Sequence, residues 1–179
     1  MIDNRIDTVT IQRTEKLHPR IKLLVFENLS KCIDINVPIR IVQGLRTMDE
    51  QATIYGNGRT VEQLIAKGID GKFANPATKI VSNAVPGSSW HNYGLAFDFC
   101  LLRGAKTISW NRDEDLDNDG EKDWMEVVNL FILKGFDWGG NWSSFPDYPH
   151  IQKVFGLTLS KAKQLIADKK VDSNGYIIF

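Results

Sequence analysis

The sequence is poor in cysteine and contains no long apolar run. Its two cysteines among 179 residues, Cys32 and Cys100, are too few for a disulfide framework in a chain of this length, so we expect buried free thiols. No apolar stretch approaches the roughly 20 residues of a membrane-spanning helix, and the polar first ten residues lack the apolar core of a secretory signal. We therefore expect no membrane insertion and a chain that is made in a cytoplasm and at first stays there.

An excess of charge is also absent, because 22 lysines and arginines balance 22 aspartates and glutamates. The sequence has no phosphate-binding glycine loop and no basic-aromatic repeat, so nothing points to nucleic acid as a partner. Internal repeats and low-complexity linkers are missing too. We predict one domain over residues 1–179 and a monomer, with the informative motifs between about residues 38 and 153 and a C-terminal helix and short strand over 157–179.

The most informative segment is Ser89-Trp-His-Asn-Tyr-Gly-Leu-Ala-Phe-Asp98. Residues 95–101 resemble a short buried strand, in which alternate side chains share a face. Asp98 then lies between two phenylalanines, where a carboxylate is costly to bury unless it is paired or bound to a metal. His91, on the loop that leads into this strand, is the nearest residue that could share a metal with Asp98.

A second segment, Asp147-Tyr-Pro-His-Ile-Gln152, supplies another histidine and another carboxylate. Pro149 disfavours a helix at Tyr148, which predicts an extended segment or turn. His91, Asp98 and His150 would give three protein ligands and leave a fourth position for water, as in catalytic zinc sites. Asp147 would remain as a carboxylate beside that water. The common HExxH and CxxC zinc motifs are absent.

These two motifs, Ser-x-His-x-x-Gly-x-Ala-x-Asp and Asp-x-Pro-His-x-Gln, resemble those of the zinc D-alanyl-D-alanine carboxypeptidases and L-alanyl-D-glutamate endopeptidases. The resemblance is strongest to the bacteriophage endolysin branch and covers roughly residues 38–153. It includes three further segments: Gly44-Leu-Arg-Thr-Met-Asp-Glu-Gln51, Tyr55-Gly-Asn-Gly-Arg-Thr60 and Trp138-Gly-Gly-Asn-Trp142. Several motifs in the order of the family are a far more specific signal than any one of them.

The resemblance implies roles for residues that composition and spacing leave open. By position alone, Arg46 is as compatible with a surface ion pair as with a functional side chain; in relatives, an arginine here contacts the substrate and stabilises the oxyanion. Asp147 is implied as the general base and acid. Ser89, Gln51 and Trp142 are candidate substrate-binding residues, although a loop hydroxyl, a solvated helix position and a core aromatic explain them nearly as well.

A calcium loop is a separate prediction. Residues 115–126 match the twelve-residue pattern, with carboxylates at positions one, three, five, nine and twelve and glycine at position six. The preceding segment is β-like and position eight is a lysine, so we predict a solitary loop; the alternative is a solvated acidic loop. Some phage members of the family carry a similar loop. The predicted ligands are Asp115, Asp117, Asp119, the Glu121 carbonyl, Asp123 and Glu126.

The expected fold is α+β, a small antiparallel sheet that carries the zinc site and is flanked by helices. We predict helices near residues 19–32, 47–55, 61–68, 126–135 and 159–168, and strands near 38–43, 79–82, 95–101, 107–110 and 177–179.

The resemblance implies a zinc peptidase that hydrolyses peptidoglycan stem peptides. A phage endolysin with L-alanyl-D-glutamate endopeptidase activity, which reaches the cell wall after release, is the first expectation. A D-alanyl-D-alanine carboxypeptidase and a non-catalytic wall-binding or virion module are the alternatives. The intact Asp147 argues against the last.

Overall fold

The computed structural model describes residues 2–104 and 106–179, which fall into two compact units. The first unit contains Met1–Leu45 and Gly94–Phe155, and the second contains Arg46–Tyr93 and Gly156–Phe179. The described residues form these α-helices: α1 (Thr8–Glu15), α2 (Pro19–Asp34), α3 (Met48–Gly56), α4 (Val61–Ile65), α5 (Asp123–Leu133) and α6 (Leu159–Ala167). The prediction of one domain over the whole chain stays a prediction.

The first unit contains the sheet, and all its pairings are antiparallel, as predicted. Its strands are β1 (Ile39–Gln43), β2 (Ala96–Arg103), β3 (Thr107–Ser109), β4 (Asp137–Trp138) and β5 (His150–Gln152). Four of them run in the order β1-β2-β5-β4, and β3, which is not part of this order, pairs with β2. The long strand β2 is therefore the centre of the sheet.

Aromatic side chains pack helix α5 onto this sheet. Phe97 of β2 contacts Phe131 of α5, with ring centroids 5.0 Å apart, and Phe99 lies 4.6 Å from the ring of Trp124. All four side chains are at most 1% exposed. Because large aromatic residues bury 150–250 Å² each, this cluster is a rigid support for the strand that carries Asp98.

The second unit contains α3, α4 and α6, together with 3-10 turns at Gly71–Phe73 and Trp90–Tyr93. Thr47 begins α3 with a capping box, in which its hydroxyl accepts the Glu50 N–H and the Glu50 carboxylate accepts the Thr47 N–H. This confirms the capping box predicted from the sequence. A buried apolar cluster of Ala52, Tyr55, Leu64 and Ile69 packs α3 and α4 together.

Two predicted strands are wrong. Residues 79–82 have no strand conformation, and Ile80 and Val81 are 54% and 55% exposed. Within residues 2–104 and 106–179, no strand pairs with this segment. Residues 177–179 form no strand, and Ile177 makes only an isolated bridge to Val171.

Among residues 2–104 and 106–179, no helix is both long enough and apolar enough to cross a lipid bilayer.

Candidate metal centre

The sheet brings Asp98 and His150 together. The two residues are direct partners in the antiparallel pairing of β2 with β5, so their side chains project from the same face. The Asp98 Oδ1 and His150 Nδ1 atoms are 3.3 Å apart. His150 is 5% exposed, and the side chain of Asp98 is 19% exposed. The sheet therefore places these two residues side by side, and their binding of zinc stays a prediction.

His91 joins them from the 3-10 turn Trp90–Tyr93, which leads directly into β2. One donor atom from each of His91, Asp98 and His150 lies within 4.8 Å of the other two. Gly94 allows the chain to turn between His91 and the strand, since its φ is +67° and an added Cβ would lie 2.8 Å from the backbone nitrogen of His18. The three residues predicted as zinc ligands therefore form one cluster.

The donor set of this cluster fits zinc. Zinc accepts histidine nitrogen and carboxylate oxygen at about 2.0–2.2 Å, which places neighbouring ligands of a tetrahedron about 3.3–3.6 Å apart. The 3.3 Å separation of the Asp98 and His150 donor atoms matches one edge of that tetrahedron. Both histidines are at most 5% exposed, as expected for ligands held in place by their surroundings.

Gln152 fixes the orientation of His150. Its Oε1 lies 3.0 Å from the His150 Nε2, so an Nε2–H can donate to it and leave Nδ1 as the metal donor. Burial lowers the pKa of His150, but the hydrogen bond and charge of Asp98, the Gln152 contact and the charge of Asp147 together raise it. Sequence reasoning did not assign Gln152, although residues two apart on a strand share a face and that spacing could have identified it.

Asp147 lies on the turn that precedes β5. Its N–H donates to the Gly139 carbonyl at 3.0 Å, and its own carbonyl accepts the His150 N–H at 3.2 Å. Gly139 must lack a side chain, because an added Cβ would lie 2.5 Å from the Asp147 carbonyl oxygen and 3.0 Å from the His150 Cβ. The turn thus fixes the Asp147 backbone beside that of His150, and the charge of Asp147 is one of the causes that raise the pKa of His150.

Arg46 is tied to the turn that carries His91. Its N–H donates to the His91 carbonyl at 3.0 Å, and its guanidinium Nη1 donates to Gln51 Oε1 at 3.0 Å. Gln51 is fully buried, and its amide nitrogen also donates to the Ala84 carbonyl at 2.8 Å. These contacts suit a residue that orients Arg46; the predicted contact of Gln51 with substrate stays a prediction.

Asn92 links three backbone segments around the same turn. Its side-chain oxygen accepts the Gly87 N–H at 3.0 Å, and its amide nitrogen donates to the Arg46 and Thr47 carbonyls at 3.0 and 3.4 Å. The residues that it joins lie 5, 46 and 45 positions away along the chain. No local sequence signal identifies such contacts, so sequence reasoning missed this residue.

The two other predicted substrate residues differ in their surroundings. The Trp142 ring lies 5.0 Å from the His150 ring and is 38% exposed, so it can offer an aromatic surface beside the metal ligands. Ser89 is half-buried, and its carbonyl accepts the Asn92 N–H at 3.0 Å. Contact of either residue with substrate stays a prediction.

The acidic loop before α5 forms two overlapping groups of oxygen donors. One consists of Asp115, Asp117 and Asp123 and the other of Asp117, Asp119 and Glu126, each with donor atoms within 4.8 Å. Burial, followed by the charges of the neighbouring aspartates and Glu121, raises the pKa of Glu126 to about 7. Burial also raises the pKa of Asp123.

Comparisons with known proteins agree with this geometry. Residues 83–153 match the family model described as D-alanyl-D-alanine carboxypeptidase, in peptidase family M15. The chain is 36% identical over 138 residues to the peptidoglycan L-alanyl-D-glutamate endopeptidase CwlK of Bacillus subtilis, a match that covers 77% of this chain and 74% of that protein.

Two further similarities are more limited. The L-alanyl-D-glutamate peptidase of Listeria phage A118 is 31% identical over 99 residues, which is 50% of this chain but only 33% of that protein. The crystal structure of the Serratia marcescens L-Ala D-Glu endopeptidase ChiX superposes with a TM-score of 0.50 at 18% identity, covering 87% of this chain and 96% of that one. At that identity the similarity concerns the fold.

The ligand geometry, the matched motif region and the extensive similarity to CwlK lead to one conclusion: the chain is a hydrolase that belongs to peptidase family M15, the zinc-dependent D-alanyl-D-alanine carboxypeptidases and L-alanyl-D-glutamate endopeptidases.

Proposed function

We propose that this chain is a zinc endopeptidase that cuts the bond between L-alanine and D-glutamate in peptidoglycan stem peptides. The convergence of His91, Asp98 and His150 within 4.8 Å carries the proposal of a zinc-dependent hydrolase. The choice of bond is supported by the similarity to the L-alanyl-D-glutamate endopeptidase CwlK and to the L-alanyl-D-glutamate peptidase of Listeria phage A118.

The chain supplies the acid-base and electrostatic groups for this reaction. Zinc bound to the three ligands would polarise the scissile carbonyl and lower the pKa of water at the site to about 7. The Asp147 carboxylate accepts a proton as the water oxygen bonds to the carbonyl carbon. It then returns a proton to the amine as the carbon–nitrogen bond breaks. Arg46, oriented by Gln51, donates N–H groups to the oxygen that gains negative charge.

Digestion of purified peptidoglycan with mass spectrometry of the fragments tests the choice of bond. An L-alanyl-D-glutamate endopeptidase leaves stem fragments that begin with D-glutamate, and a chelator should stop their formation until zinc is added back. Release of free D-alanine without such fragments would instead support the alternative, a D-alanyl-D-alanine carboxypeptidase, which the description of the matched family model favours. Absence of both products would support a non-catalytic wall-binding or virion module.

A role as a phage endolysin is a narrower part of the proposal. It is supported by the similarity to the Listeria phage peptidase, which covers a third of that protein. Such an enzyme would be made in the cytoplasm of an infected cell and, once released from that cytoplasm, would act on the cell wall. Expression in the cytoplasm of a bacterium with a susceptible wall should cause lysis only when a membrane-permeabilising protein is produced as well.

We also propose that residues 115–126 bind one calcium ion. Asp115 accepts the Asp119 and Gly120 N–H groups at 3.1 and 3.0 Å, which folds the loop around its first carboxylate. Gly120 has a φ of +95°, as the sharp turn at position six requires. Position nine, Asp123, begins α5, and Glu126 lies in the first turn of that helix. The Glu121 carbonyl would complete the set of oxygen ligands.

A further inference from the structure

The central strand β2 has two partners along one of its edges. β1 lies along the other edge, while β5 pairs with residues 96–98 and β3 with residues 101–103. Both β3 and β5 run antiparallel to β2, so the chain that leaves β3 heads directly toward the chain that enters β5. Between them, the Phe99 N–H of β2 donates to the Pro149 carbonyl at 3.1 Å. The residues after β3 therefore meet the turn that carries Asp147.

Two side chains hold Tyr148 where these segments meet. The Trp138 Nε1–H donates to the Tyr148 carbonyl at 2.7 Å, and the centroids of the two rings lie 6.0 Å apart. The guanidinium carbon of Arg112 lies 3.6 Å from the centroid of the Tyr148 ring. A cation is attracted to the face of an aromatic ring by the negative charge of its π system. Tyr148 is thus held at both its main chain and its side chain.

Trp138 can act as a fixed donor because its own surroundings hold it. It pairs with Ile151 of β5 in the sheet, and it is half-buried. An added Cβ at Gly140 would overlap the Trp138 ring, so the indole lies directly against the main chain that follows β4. The indole nitrogen can only donate a hydrogen bond. Its bond to the Tyr148 carbonyl therefore fixes the direction of that peptide group.

Tyr148 lies in the turn that joins the proposed proton-transfer group, Asp147, to the metal ligand His150. The Asp147 N–H donates to the Gly139 carbonyl, and the His150 N–H donates to the Asp147 carbonyl, so the turn closes around Tyr148. A change in the main chain at Tyr148 would move the Asp147 side chain relative to His150. A general base must lie within about 2.6–3.2 Å of the atom that gives up the proton. A displacement of about 1 Å can therefore cost about 100-fold in rate.

We propose that Trp138 and Arg112 are positioning residues, which hold Tyr148 so that the Asp147 carboxylate keeps one orientation relative to His150 during proton transfer. The inference rests on the proposed peptidase function, in which Asp147 transfers the proton. Trp138 has the larger effect, because its hydrogen bond acts on the main chain next to Asp147. Arg112 is exposed and acts only on the Tyr148 ring.

Trp138→Phe tests the hydrogen bond, because it keeps an aromatic ring and removes the N–H donor. On a synthetic stem peptide with the L-alanyl-D-glutamate bond, we expect kcat per bound zinc to fall by about 5- to 10-fold, the effect of roughly one hydrogen bond, with KM unchanged. Trp110→Phe is the matched control, since Trp110 is 51% exposed in the same unit, and it should keep the wild-type kcat. A wild-type kcat in Trp138→Phe would contradict the positioning role.

The contribution of Arg112 depends on its charge. We expect Arg112→Gln to lower kcat by about 2- to 5-fold, because the cation over the Tyr148 ring is lost. Arg112→Lys, which returns a cation to this position, should recover most of that loss. Equal values of kcat in the wild-type protein and Arg112→Gln would remove Arg112 from the proposal.

A double-mutant cycle distinguishes positioning of Asp147 from a general structural role. In an Asp147→Ala background, Trp138→Phe should have almost no further effect on the residual rate per bound zinc, because the group that it positions is gone. A loss of structure at the metal site would instead lower the rate to the same extent in both backgrounds. Equal fold-losses in the two backgrounds would overturn the inference.

Amide hydrogen exchange on the full chain separates failure of this inference from failure of the proposed function. We expect the Asp147 and His150 amides to exchange about 5- to 10-fold faster in Trp138→Phe than in the wild-type protein, because the turn opens more often. The Val25 and Leu29 amides of α2 should keep their rates. Unchanged exchange at Asp147 and His150 would refute the inference, whatever the cleavage result. Faster exchange in a protein whose wild-type form cuts no peptide would support the hold on the turn and contradict only the proposed function.

Discussion

At the scale of single residues, the neighbours of His150 decide its chemistry. Gln152 accepts from one ring nitrogen at 3.0 Å, and Asp98 lies 3.3 Å from the other. A histidine ligand needs one nitrogen free of its proton, and an acceptor at the opposite nitrogen selects that tautomer. The same imidazole on an exposed loop would exchange between tautomers and bind metal more weakly.

Removing the acceptor should therefore weaken zinc binding without removing a ligand. We expect Gln152→Ala to lower the affinity for zinc by about 10- to 100-fold, the usual cost of losing such a partner. Competition with a chromophoric chelator measures the dissociation constant. Gln164→Ala is the control, since Gln164 of α6 donates a hydrogen bond to Asp168, the residue that follows this helix. Equal zinc affinities in both variants would show that Gln152 does not orient the ligand.

Loss of the Asp147 carboxylate should impair catalysis without impairing metal binding. We expect Asp147→Ala to keep its zinc and to lose at least about 100-fold in kcat, the lower range for general acid–base catalysis. Asp137→Ala, which removes an exposed carboxylate from β4, should leave kcat unchanged. Metal analysis and peptide cleavage on the same samples give both values. Substantial activity in Asp147→Ala would assign the proton transfer to another group.

At the scale of elements, the turn Trp90–Tyr93 and the start of α3 behave as one assembly. Asn92 connects the Gly87 backbone to the Arg46 and Thr47 carbonyls, and the Arg46 N–H bonds to His91. A metal ligand and an arginine predicted to contact the substrate thus depend on one side chain. Its three hydrogen bonds, worth about 1 kcal/mol each, give this connection its rigidity.

Loss of the Asn92 side chain should act on catalysis through Arg46. We expect Asn92→Ala to reduce kcat/KM by about tenfold, the equivalent of roughly one hydrogen bond at 1.4 kcal/mol. In an Arg46→Ala background the same change should have almost no further effect, because the residue that it positions is gone. Asn57→Ala, which removes another half-buried bridging asparagine of this unit, should be additive with Arg46→Ala. Full additivity for Asn92 would contradict the positioning role.

Calcium binding to the acidic loop, residues 115–126, should stabilise the folded protein. Its clustered carboxylates repel one another without a cation, and an ion at 100 times its dissociation constant stabilises the folded state by about 2.7 kcal/mol. For a chain of this size that corresponds to a rise in Tm of roughly 5–10 °C. Calorimetry should find this rise with calcium and none in Asp117→Ala/Asp119→Ala. Identical melting curves of the wild-type protein with and without calcium would reject the site.

At the scale of the whole molecule, local signals in the sequence predicted more than non-local ones. The helix at residues 19–32 and the capping box at Thr47 depend on neighbours within four residues, and the structure confirms both. The strand predicted at residues 79–82 is wrong, because a strand requires a partner that its own residues cannot specify.

The residues of the candidate metal centre divide in the same way, into those that local motifs predict and those that only long-range contacts reveal. His91, Asp98 and His150 could be predicted because their types and motifs carry the chemistry, and the antiparallel pairing of β2 with β5 then brings Asp98 to His150. The long-range contacts of Asn92 and Gln51 include bonds to residues 46 and 33 positions away. Only the folded chain reveals such partners, since many amides in a sequence could make equivalent bonds.

The zinc content of purified protein tests the central claim most directly. Elemental analysis after dialysis against a weak chelator should find zinc at one ion per chain in the wild-type protein and in His18→Ala, which changes the one other histidine, a helix cap of α2. His91→Ala, Asp98→Ala and His150→Ala should each lose it while keeping a folded circular dichroism spectrum. Full retention of zinc by any one of these three variants would contradict a shared site.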